Sequence, residues 1–273
     1  MDFESEEEAN DFINQVLNDN SHRNVPLSKQ DEAQELLYRA YETSGKEKVK
    51  LAKKALRLYP NSPDAYVILG EEALKKGNVS KALSMFQKGM DVGRKDLGND
   101  FFEENSGHFW GIVSTRPFMR AKLSYAYLLY ELGETDKAIE QFEELLALNE
   151  NDNQGVRYQL FVAYAENDDL TKAKQLLNEY DEPSVNNQYN RLFVELSECG
   201  LSKRAKRLFQ HAHDDNPYVI SYLLNEKKLP HDVPATYSLG SEEEAVLYAS
   251  EHLDLWQNSK AYYLLGKMAN THV

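Results

Sequence analysis

The chain has 273 residues with 41% hydrophobic content, enough for a sizeable core or a continuous stack of smaller units. Its 31 Lys and Arg stand against 45 Asp and Glu, a formal charge of -14, which argues against nucleic acid as a partner and favours basic ones. One cysteine, Cys199, excludes a disulfide framework and a zinc site built from several thiolates.

The first ten residues, MDFESEEEAN, lack the basic start and apolar run of a signal peptide. No stretch approaches the roughly 18 apolar residues of a membrane span. The cytoplasm is therefore the expected location, with no membrane partner. Residues 5–19 read as a short acidic helix with Phe12, Ile13, Val16 and Leu17 on one face. Residues 20–28 read as a linker, so 1–28 form an N-terminal segment ahead of the main domain.

From residue 29 the pattern becomes helix, short turn, helix. Helices are expected at 31–43 and 47–59, then at 63–76 and 79–92 around Gly77-Asn78. In the second pair, Tyr66, Leu69 and Phe86 are large and Gly70 and Ala82 are small. Small ones let two helices approach, and large ones fill the space to the next pair. Ala126, Gly133, Ala138 and Phe142 repeat the phase, as do Leu160, Tyr164, Ala173 and Leu177, and then Tyr189, Leu192, Ala205 and Phe209. Ala82, Ala138, Ala173 and Ala205 are separated by 56, 35 and 32 residues. Two of these gaps match a period of about 34, and the first adds about 22 residues.

These positions resemble the tetratricopeptide repeat. The resemblance implies an all-α fold, a right-handed α-α superhelix of helix pairs, over residues 29–217. The extra residues fall at 94–117, RKDLGNDFFEENSGHFWGIVSTRP, an aromatic-rich insertion expected to be a loop folded back onto the helices. After Pro217 the repeat decays into a divergent helical cap over 218–273. A short helix is expected at 218–225, an irregular stretch at 226–240, and a helix from a Ser241/Glu244 capping box to about Leu255. A last helix follows at 258–269.

Three strings, GHFWGIVSTRPFMRA, LNENDNQGVRYQL and NPYVISYLL with LGSEEEAVLYASEHLDLW, resemble a family of bacterial tetratricopeptide proteins. The last also resembles the C-terminal part of the suppressor of tumorigenicity seven family. These likenesses imply a helical repeat domain and no active site.

The candidate binding residues are His108, Trp110, Arg116 and Arg120 with Asn153, Gln154, Arg157 and Tyr158. Two guanidiniums four residues apart and an indole suit a carboxylate or peptide terminus. The competing reading is that they pin the insertion to the helices. The main expectation is a non-enzymatic interaction module that binds a peptide or protein on its concave face. Tyr66, Tyr127, Arg157, Tyr158 and Tyr189 would line that face. A self-associating scaffold, as a homodimer, or a regulatory subunit is the alternative. A hydrolase-like site around His108, Arg116 and Arg120, with Glu103 or Glu104, is a remoter one.

His211, His213, Asp214 and Asp215 are ligand types, but they end a helix pointing apart, so no metal is expected. With Gly155 as the sixth position of a calcium loop, the twelfth is Phe161, where a glutamate is required. No phosphate-binding, hydrolase or metalloprotease motif occurs, and no cofactor is expected.

Overall fold

The computed structural model describes residues 27–270. The acidic helix expected at 5–19, and most of the linker after it, lie outside them. The chain divides into two compact units, 1–96 and 97–273. The fold is all-α, as the tetratricopeptide pattern implied.

In the first unit α1 (Lys29–Tyr41) pairs with α2 (Gly45–Leu58), and α3 (Pro63–Leu74) packs on α2. Ser28 and Asp31 cap α1 reciprocally: the Ser28 hydroxyl accepts from Asp31 N at 3.1 Å, and the Asp31 carboxylate accepts from Ser28 N at 3.2 Å. Leu37, Ala40, Ala52, Ala55 and Ile68 form a closed core between these helices. α4 (Val79–Leu97) follows a turn whose Gly77 holds a φ of +71°. A Cβ on Gly70 would lie 2.4 Å from the Phe86 ring, so the small residue at this phase is what admits the aromatic of α4.

The second unit opens with the insertion. It was expected as a loop, but much of it is helical. α4 runs on to Leu97, α5 covers Asn99–Asn105, and 3₁₀ turns cover Phe109–Gly111 and Val113–Thr115. The reason is local. Phe102, Phe109 and Phe118 are all buried, with Phe102 4.9 Å from Phe109 and 5.1 Å from Phe118 between ring centres. The segment folds around this aromatic cluster, and Phe118 belongs to the first turn of the next helix.

That helix is α6 (Arg116–Glu131), paired with α7 (Thr135–Leu148). α8 (Val156–Glu166) pairs with α9 (Leu170–Glu179), and α10 (Val185–Cys199) with α11 (Lys203–Asp215). Asp169, Ser184 and Ser202 cap α9, α10 and α11 with their side chains. The short α12 (Tyr218–Leu223), α13 (Glu242–Gln257) and α14 (Lys260–Ala269) complete the unit.

The expected capping box of α13 forms only in half. The Ser241 hydroxyl accepts from Glu244 N at 3.3 Å, but Glu244 accepts from Gly240 N at 2.8 Å and from the Asn216 amide at 3.0 Å. Asn216 draws the carboxylate away because it is itself buried and needs partners.

α13 packs on α8 and α10, the first helices of the last two repeats, and α14 packs on α10. Its buried stripe Ala245, Tyr248, Ala249, His252, Leu255 and Trp256 meets Phe161, Tyr189 and Phe193.

Candidate functional site

The two strings that carry the candidate residues are joined through backbone. Glu150 N donates to Gly107 O at 3.1 Å, and His108 and Asn149 form an isolated antiparallel bridge. Ser106 adds a bond from its hydroxyl to Ala147 O at 3.1 Å. The start of the insertion is thereby strapped to the end of α7. Gly107 has a φ of +86°, and a Cβ there would lie 3.1 Å from the Glu150 carboxylate.

Beyond this strap the eight residues separate into two groups. In the first, the Arg116 guanidinium lies 5.4 Å from the centre of the Trp110 ring, and its Nε donates to Trp110 O at 2.9 Å. Thr115, fully buried, donates its hydroxyl to the carbonyls of Phe109 and Ile112 and closes the same turn. Val113 stands beside them 63% exposed. Arg120 follows Arg116 one turn later on α6. His108 is exposed, with Nδ1 3.2 Å from Ser106 O. Among the described residues it forms no ion pair with Glu103 or Glu104.

The second group is an internal staple. Asp152, nearly buried at a φ of 45°, accepts from Val156 N at 2.7 Å, Arg157 N at 3.0 Å and Arg157 Nη1 at 2.9 Å. It therefore caps α8, whose first N–H groups would otherwise be orphaned. Arg157 Nη2 reaches both oxygens of Glu182, at 3.1 and 3.0 Å, and the Tyr158 hydroxyl donates to the same carboxylate at 2.8 Å. Burial would raise the Glu182 carboxyl, but the bonds from Tyr158 and Arg157 outweigh it and hold its pKa below the ordinary value.

Tyr158 and Tyr180 flank the guanidinium at 4.4 and 5.4 Å. The cavity beside them measures about 20 Å³, room for a water and far below a peptide side chain. Asn153 is exposed and Gln154 half-buried at the turn before α8. The sequence reading missed Asp152 and Glu182, the two carboxylates that hold Arg157. The acid-rich turn ahead of a helix was the signal for the first.

Of the tyrosines expected to line a concave face, Tyr66 is half-buried and Tyr127 is 37% exposed. Tyr189 is not available. It is fully buried, 5.5 Å from Tyr248 of α13 between ring centres. The face of α8 and α10 expected to be a groove is covered by α13, whose apolar stripe has nowhere else to be buried.

Residues 129–192 match the tetratricopeptide repeat family. The match runs from the end of α6 into α10. A tetratricopeptide repeat protein from Parabacteroides merdae ATCC 43184 is similar in structure, with 18% identity and a TM-score of 0.50, over 89% of this chain and 87% of that one. YrrB, described as a TPR protein with an unusual peptide-binding site, is similar at 18% identity and a TM-score of 0.48, over 74% of this chain and 90% of that one. The likeness to the Parabacteroides merdae protein concerns the fold alone. No curated protein matches the chain. Family match and helix pairing agree on a repeat of the tetratricopeptide type. Among the described residues no helix is long and apolar enough to cross a membrane.

Proposed function

We propose that this chain is a protein-interaction module that engages a peptide or protein segment at the Trp110–Arg116 turn, ahead of and along α6. The stacked Trp110 and Arg116 carry the reading. Tryptophan and arginine dominate the contacts that hold partners at interfaces, and here they are rigidly presented rather than buried in the core. Arg116 spends one N–H on Trp110 O, and its remaining donors form no bond to a described residue, so they suit a partner's carboxylate.

Arg157 and Tyr158 serve in this reading as structure, held by Asp152 and Glu182. Peptide binding along the first helices is confined in this reading to the stretch near Tyr127, because α13 occupies α8 and α10. The side chains of the site pair for support and none sets a nucleophile against a base, which favours binding over catalysis.

The test is affinity capture from native cell extract with wild-type protein, Trp110→Ala and Arg116→Glu, read by mass spectrometry. The expected result is one or more proteins retained by wild type and lost from both variants. Equal retention by all three would sink the proposal.

A further inference from the structure

We infer that a groove bordered by the 181–183 turn, α10 and α11 docks an acidic segment of a partner protein through Arg204 and Arg207. It is independent of the Trp110–Arg116 contact.

The chain carries a charge of -14, yet α11 begins with Lys203, Arg204, Lys206 and Arg207. Arg204, Arg207, Leu208 and His211 fall at successive helical turns and form one wall of a groove of about 570 Å³. Pro183 and Arg191 stand on the opposite side. Helical phase puts Arg191 on the side of α10 away from Tyr189 and Phe193, the residues that meet α13.

The acids at the rim are already engaged. Asp181 pairs with Arg191 at 3.1 Å, and Glu182 with Arg157 at 3.0 Å. Arg204, 60% exposed, has only a 3.5 Å contact to Glu195, and Arg207 has no partner among the described residues. The groove thus presents Arg204 and Arg207 beside the apolar side chains of Leu208 and Pro183 on an acidic protein. Guanidinium forks match carboxylates in pairs. A nucleic acid would extend its phosphates over the surrounding acidic surface, whereas a short acidic segment need touch only the strip.

The experiment is fluorescence anisotropy of a labelled Glu/Leu peptide titrated with the full chain, at low and at physiological salt. A Lys/Leu peptide of equal length and an unlabelled oligonucleotide serve as comparisons. The expected result is saturable binding of the Glu/Leu peptide alone, weakened by salt and about tenfold weaker in Arg204→Glu/Arg207→Glu. Both arginines are exposed, and circular dichroism of the double variant verifies its fold. No binding, equal binding by the double variant, or stronger competition by the oligonucleotide than by the unlabelled peptide would each overturn the inference.

Discussion

The Tyr189 hydroxyl donates to the backbone carbonyl of Asn216 at 2.8 Å, and both residues are fully buried. The Asn216 side chain completes the node. Its amide donates to Ser241 O at 2.9 Å and to Glu244 at 3.0 Å, and its oxygen accepts from Tyr218 N at 3.1 Å. One residue thus joins α10, the start of α12 and the start of α13. Asn216→Ala leaves Glu244 and Ser241 O without these donors, at an expected cost of about 2–4 kcal/mol. Urea unfolding checks it, and a change within a few tenths of a kcal/mol would show that the node contributes little.

Gly70→Ala should destabilise the first unit by about 1–3 kcal/mol, because the added methyl meets a buried ring that has no room to retreat. Calorimetry of the full chain reads the loss. Gly70→Ala with Phe86→Leu should recover part of it, since the smaller side chain frees the space.

His252 is fully buried with Nδ1 3.0 Å from Tyr248 O, and desolvation lowers its pKa from 6.5 to about 4. The unfolded chain therefore takes up this proton first. The contribution to stability is intact above pH 6.5 and drains away as pH falls toward 4, reaching about 2 kcal/mol by pH 5. Urea midpoints at pH 7 and pH 5 should differ accordingly. The gap should narrow in His252→Leu; an unchanged gap would assign the pH dependence elsewhere.

Arg157→Leu removes the cation that Asp152 and Glu182 share. Asp152 is left buried with only its backbone donors, at an expected cost of about 2–3 kcal/mol. Asp152→Asn/Arg157→Leu should cost less than the two single changes added together. Thermal melts of the three variants decide between coupling and independence.

The repeats were readable because their packing is local. Ala82, Ala138, Ala173 and Ala205 are all fully buried, and Phe86, Phe142 and Phe209 close against them. The insertion was misread because glycines and aromatics in one short stretch suggest a loop. Its helical stretches close over Phe102 and Phe109, which pack against Phe118 across the boundary. The candidate site was half readable. Trp110 and Arg116 lie six residues apart and could be paired by inspection. One partner of Arg157 is Glu182, 25 residues on, and periodicity carries no information about that distance. The cover over α8 and α10 was harder still. The stripe in α13 shows that the helix buries one face, but not which surface receives it.

A stack of helix pairs ordinarily touches only its nearest neighbours, so each pair can open without the others. Here Tyr248 reaches back 58 residues to Asn190 at 2.9 Å, and Trp256 donates to the same Tyr248 hydroxyl at 3.0 Å. The end of the chain is stitched to pairs formed much earlier. Residues 156–257 should therefore exchange their amide protons as one cooperative block, while pairs without such a return thread fray singly.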